Sequence, residues 1–396
     1  ENAEQVNHLS NMYPDYADVT IPVNIAPLNF EIRNKHLCNI ETILTIEGAD
    51  EDDADNTLTA TSNSQNLKFD LKEWKYFLAK AAGKNIKVQI YSKNDEGKWT
   101  AFRPFTWQVV SDSIDSYLTY QLIEPTYDVW SKTKIKQRCI ENWDEKILAD
   151  YTLIKNLKMN TYAYGNQDEN LSIIYLRGEN GGTILNRNGK LRKLNLQGKG
   201  MASPGIYYSF NPSGRYLTYS TNTMVRDFNI NNDKRLEVYD TASSIYVADL
   251  NDNHIISSPL ASDSSRLETF PTFSPNGKYI YYCAANKKEL SDKNLKNLKY
   301  ALVRIPFNEE NGRFGERIDT LYSSRSVCHP KLSPDGRFCL FTVLDYGTFP
   351  AWHTESDLYM LDLQTGKTDS LNSVNSKKSD TYHCWSHTGE WFVFIS

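Results

Sequence analysis

The stretch FPTFSPNGKYIYY, residues 270–282, places a Pro-Asn-Gly turn between two runs that alternate aromatic or aliphatic residues with polar ones. The chain writes nearly the same stretch three more times: YYSFNPSGRYLTY ends at Tyr219, HPKLSPDGRFCLF at Phe341 and HCWSHTGEWFVF at Phe394. Pro at the second turn position presets φ, a small polar residue tolerates the next geometry, and Gly supplies a positive φ. Each copy therefore predicts a β-hairpin. The copies recur about every 50 to 60 residues, which confines the chain to repeat architectures.

What lies between the copies selects among those architectures. IYVADL (245–250), YALVRIPF (300–307) and LYMLDL (358–363) alternate with period two, and each is followed by a polar turn. Helical periodicity is missing there. Several short strands per repeat with no helix predict the blades of a β-propeller. LSIIYLRGENGGTILNRNGKLRKLNL (171–196) adds an earlier blade, with Gly181-Gly182 and Asn188-Gly189 as its turns. Five blades are visible, and the expected ring has six, the last sealed by a strand near 115–125. The propeller is expected over 161–396.

The first part of the chain lacks the repeat. Residues 1–17 read as a tail, 18–113 as a small β-sandwich-like domain with one helix, and 114–160 as a connection. The helix is marked by Asp70-Leu-Lys-Glu73, a capping box, with Trp74, Phe77 and Leu78 at helical spacing and Gly83 closing it. IKVQIY and WTAFRPFTWQVV flank an Asn94-Asp95-Glu96-Gly97 hairpin turn. The acidic run EGADEDDAD (47–55) lacks the ligand order of a specific Ca²⁺ loop and reads as solvated.

Composition narrows function. Aromatics make up 12 % with Tyr dominant, and the net charge is −5, which leaves no basic footprint for nucleic acid. No apolar run approaches the roughly 20 residues of a membrane helix, and the sequence from Glu1 carries no signal peptide, as expected of a processed form. Cys38, Cys139, Cys283, Cys328, Cys339 and Cys384 form no CxxC pair, so neither a zinc nor a redox motif is expected. Core thiols and one or two disulfides both remain open. No nucleophile elbow, HExxH helix or phosphate loop is present, and no catalytic or metal residue is assigned.

The blade alignment nominates a binding site. Tyr207, Phe270, His329 and Tyr382 stand at matched positions ahead of the turns, near the expected central channel. Upstream, Arg266 and Arg325 share one offset and Lys378 falls at the equivalent place. Three cations at one mouth would attract an anionic ligand; equally, they would serve as solvated loop charges. His329, His353, His383 and His387 cluster in the last third, but His383 and His387 lie across a hairpin, where that spacing does not make them neighbours.

These hairpins resemble TolB-type, WD40-like β-propeller repeats over about residues 170–396. A narrower resemblance spans nearly the whole chain. IPVNIAPLNFEI (21–32), YQLIEPTYDVW (120–130), CIENWDEKILADYTL (139–153) and YLRGENGGTILN (175–186) are similar to a group of envelope proteins of Gram-negative anaerobes. Members are often secreted as lipoproteins, and many carry a CxxCH haem-attachment motif. The resemblance implies a periplasmic or outer-membrane-associated protein, with any lipid anchor upstream of Glu1. Here Lys158, Thr161 and Tyr162 stand at the two cysteine positions and the histidine, and none of them can attach or ligate a c-type haem. No cofactor is therefore expected. The expected function is a non-catalytic envelope propeller that binds a protein, peptide or glycan. The alternatives are a solute-sensing propeller with an anionic ligand at one mouth, or a propeller lyase or hydrolase.

Overall fold

The computed structural model describes residues 3–34, 36–49, 53–123, 132–152, 158–228, 234, 236–290 and 295–396. The chain is all-β and divides into two compact units, residues 1–121 with 135–148, and residues 122–134 with 149–396.

In the first unit, Leu37–Ile46 and Asn85–Asn94 pair antiparallel along their length and anchor a seven-stranded sheet. A second sheet joins Met12–Tyr13, Phe30–Ile32 and Asn66–Leu67. The helix Leu71–Ala81 forms as the capping box predicts: Asp70 accepts from the backbone of Lys72 and Glu73, and Trp74, Phe77, Leu78 and Ala81 are buried. Asp70→Ala is expected to cost about 1 kcal/mol, read from the urea midpoint. The expected tail is not free, since Glu4–Gln5 pairs with Trp99–Ala101 and Met12–Tyr13 with Phe30–Ile32. Within the acidic run, 50–52 lie outside the described residues; Asp53 pairs with Lys80, and Asp55 accepts from the Tyr76 hydroxyl.

The stretch expected to be a connection carries three strands, Tyr117–Leu122, Lys134–Cys139 and Glu145–Asp150, in one sheet. That placement overturns the expected closure. Among the described residues the strand near 115–125 pairs with Lys134–Cys139 and with no strand of the last blade. The 124–130 part of that segment lies outside the described residues.

The second unit is the propeller. Blade 1 runs Lys158–Gly165, Asp168–Arg177, Gly182–Arg187 and Lys190–Leu194. Blade 2 runs Ile206–Phe210, Tyr216–Phe228, Leu236–Asp249 and His254–Ile256, and its two middle strands extend well beyond the others. Blade 3 runs Arg266–Phe273, Tyr279–Asn286, Ala301–Asn308 and Asp319–Tyr322, and blade 4 runs Ser326–Leu332, Phe338–Leu344, Asp357–Asp362 and Thr368–Ser370. Blade 5 shows Thr381–Trp385 and Phe392–Ile395, which pair only with each other among the described residues. Five blades, not six, can be followed there. Gln167 of blade 1 donates to the Trp385 carbonyl of blade 5 (2.8 Å), joining first blade to last. One parallel rung, Ser243 to Leu267, fuses blades 2 and 3 into a single sheet.

The repeated turns close through a residue that the Pro-Gly pattern hides. Asn211, Ser274, Ser333 and Ser386 each accept, through the side chain, the backbone N–H five residues on, at 2.7–3.1 Å. Each also accepts the N–H of the turn glycine, whose φ is 69–79°. The buried faces of the blades pack as apolar layers around Tyr216, Tyr282, Phe307 and Phe341. All six cysteines are free thiols, with Cys283, Cys328 and Cys339 buried. No helix among the described residues is long and apolar enough to cross a membrane.

Candidate functional site

The inner strand of each of blades 2–5 breaks register once, at one repeat position. The slips fall between Ile206 and Ser209, Thr269 and Thr272, Cys328 and Lys331, and Thr381 and Cys384. At each slip one residue takes left-handed backbone: Tyr207 (φ 54°), Phe270 (53°), His329 (51°) and Tyr382 (51°). Bulky side chains rarely adopt this conformation, and each instance costs on the order of 1–3 kcal/mol. The result is a column of rings. Centroid distances are 4.3 Å from Tyr207 to Phe270, 4.2 Å from Phe270 to His329 and 4.9 Å from His329 to Tyr382, all tilted. The structure thus brings together the four aromatic positions nominated by the repeat.

Beside this column lies a cavity of about 130 Å³, whose lining includes Tyr162 of blade 1, Tyr207, Phe270, His329 and Lys331. Lys331 is partly exposed, and among the described residues its ammonium has no hydrogen-bond acceptor or ion-pair partner. Burial holds its pKa below the usual lysine range. Burial, with the nearby His383 and Lys331, holds the His329 imidazole well below its ordinary value, so it is neutral at pH 7. His329 Nδ1 is buried without a partner among the described residues. His383 contacts the Leu340 carbonyl through Nε2 (2.9 Å), and burial pushes it down to about 4.

The three mouth cations are placed differently. Arg266 Nε lies 3.7 Å from Glu268, and Arg325 donates to Asp345 Oδ1 (3.1 Å) and to the Glu355 carbonyl (3.2 Å). Lys378 is exposed. No shared acceptor joins the three among the described residues, because each arginine is drawn to a carboxylate of its own blade. Glu268 itself is fully buried, with both carboxylate oxygens lacking a hydrogen-bond partner among the described residues. Burial raises its pKa to about 8.

A second polar cluster escapes sequence reasoning. His353 is buried with Nε2 3.1 Å from Glu237 Oε2 and Nδ1 2.9 Å from Glu355 Oε1. Tyr346 donates to Glu237 Oε1 (2.6 Å), and Lys234 to Glu355 Oε1 (2.6 Å). These groups tie the long hairpin of blade 2 to the 345–356 loop of blade 4. Against the effect of burial, the bonds from His353 and Tyr346 hold Glu237 below the ordinary carboxylate value.

Asp249, Asp252 and His254 offer ligand atoms within 4.8 Å of one another. Arg215 already bridges the two carboxylates, at 2.7 and 3.0 Å, and backbone N–H groups of Asn251 and Asp252 take the remaining Asp249 oxygen. Those contacts make the group a turn closure. Lys158, Thr161 and Tyr162, at the haem-motif positions, lie on the first strand of blade 1, and Tyr162 meets Tyr164 edge to face at 6.1 Å.

No family model matches the chain, and no curated protein matches it in sequence. Solved structures are similar in fold. An oligogalacturonate lyase from Vibrio parahaemolyticus is 11 % identical with a TM-score of 0.41, over 78 % of this chain and 82 % of that one. A DUF4784 family protein from Bacteroides caccae is 7 % identical with a TM-score of 0.34, over 93 % and 96 %. Porphyromonas gingivalis dipeptidyl peptidase 4 is 11 % identical with a TM-score of 0.32, over 79 % of this chain and 54 % of that one. At this level the likeness extends to the broad fold alone.

Proposed function

We propose that this protein is a non-catalytic binding propeller of the cell envelope, and that its channel receives a flat-faced group presented by a peptide or glycan. The observation that carries the reading is the ring column. Four successive blades hold a bulky ring on strained, left-handed backbone at one repeat position. Backbone strain of this kind persists where the surrounding structure enforces it, and it concentrates at ligand clamps. Stacked aromatic faces suit sugar rings, peptide planes and aromatic side chains. The envelope location rests on the sequence resemblance.

The test is titration calorimetry with short peptide and glycan libraries against the wild type and Phe270→Ala. Removing a central ring is expected to weaken binding at least 10-fold, as for an aromatic anchor worth 1–2 kcal/mol or more. Equal affinity for both proteins would remove the column from the site.

A further inference from the structure

Resting on that reading, we propose that the group bound in the channel carries a carboxylate, seated in the cavity beside the rings, where Lys331 supplies the charge. Lys331 occupies a repeat column filled in the other aligned blades by Ser209, Thr272 and Cys384. It is thus the one charged residue at this depth of those four inner strands. The chain has a net charge of −5, so carboxylates are plentiful elsewhere, and Arg215, Lys234, Arg266 and Arg325 are each met by one. Lys331 lacks such a partner among the described residues, although it lines a cavity walled by protein.

An ammonium on the wall of a narrow cavity, partly shielded from water and without a counter-ion, is less well stabilised than one in open solvent, and an incoming anion relieves that cost while gaining a charge-assisted hydrogen bond. The cavity of about 130 Å³ is small, which matches a carboxylate on a compact planar body better than a phosphate ester or a long chain. Tyr207 and Phe270 line the same space, so a flat body would lie against a ring face while its carboxylate met Lys331. Two sources share this chemistry, a free small organic acid and the C-terminal carboxylate of a peptide.

The experiment uses the full chain and two matched pairs of probes. Benzoate and benzamide represent the free acid and its neutral isostere. N-acetylphenylalanine and its amide represent a peptide terminus. Binding is read by titration calorimetry on the wild type, Lys331→Met and Phe270→Ala, with thermal melts to show that each variant is folded. The expected result is that at least one acid binds 10-fold or more tightly than its amide. Lys331→Met is expected to abolish that preference while keeping amide affinity and a wild-type or higher melting temperature, since it removes an unpaired cation. Phe270→Ala is expected to weaken acid and amide alike. Preference confined to N-acetylphenylalanine supports the peptide source, and preference confined to benzoate supports the free acid. Acid and amide binding equally, or an acid preference that survives Lys331→Met, would overturn the carboxylate and leave the ring platform standing. No binding of any probe would overturn the carboxylate and count against the platform too.

Discussion

Glu268→Gln is expected to stabilise the protein by about 5 kcal/mol at pH 9 and to change nothing at pH 4. Burial raises the folded-state pKa of Glu268 from 4.5 to about 8, and each tenfold change in proton affinity is worth about 1.4 kcal/mol. The sign follows from proton counting. Between pH 4.5 and pH 8 the folded chain keeps a proton on this carboxyl that the unfolded chain has released, so stability falls as pH rises through that window. Below it both states are protonated, and glutamine mimics the neutral acid. Arg266, 3.7 Å away, offsets only part of the burial. Urea midpoints at pH 4, 7 and 9 check this. The wild-type and variant curves should diverge with pH, and parallel curves would mean that the carboxylate finds solvent. Asp240, fully enclosed and raised to about 7, keeps a residual slope in the variant.

The second large effect lies at His353. His353→Ala is expected to cost about 3–5 kcal/mol, because it leaves Glu237 buried with the Tyr346 hydroxyl and without its ring partner. For a unit of this size that lowers the melting temperature by on the order of 10 °C. Tyr346→Phe removes one neutral donor and is expected to cost about 1–3 kcal/mol. Differential scanning calorimetry separates the two, and a His353→Ala loss below 1 kcal/mol would show that water replaces the ring.

The repeat made much of the ring column legible. Alignment on the hairpins is enough to place Tyr207, Phe270, His329 and Tyr382 in one column, because a blade is one supersecondary unit and equivalent positions see equivalent surroundings. The same alignment holds the signal for Lys331, two residues past His329, where the other copies have Ser, Thr and Cys. The positive φ was not legible, since Tyr and Phe carry no local preference for it. The mouth cations illustrate the opposite failure. Offset alone cannot show that Arg325 meets Asp345 or that Arg266 leans on Glu268, because those contacts depend on side-chain direction. The Glu237–His353 contact joins residues 116 apart, and no spacing rule reaches that far. The expected sealing strand illustrates a related limit: Tyr117–Leu122 has the right composition, but among the described residues its partner is Lys134–Cys139.

The rung from Ser243 to Leu267, reinforced by the Glu268 N–H donating to Ser243 Oγ (2.9 Å), alters what counts as a module in this chain. Repeat arrays are commonly treated as interchangeable parts, each bounded by its own turns. Here the backbone ladder crosses from blade 2 into blade 3, so the smallest piece that could be transplanted, duplicated or lost without tearing a sheet is the pair. The sequence period and the structural quantum of this propeller therefore differ, and homologous exchange of single repeats is constrained accordingly.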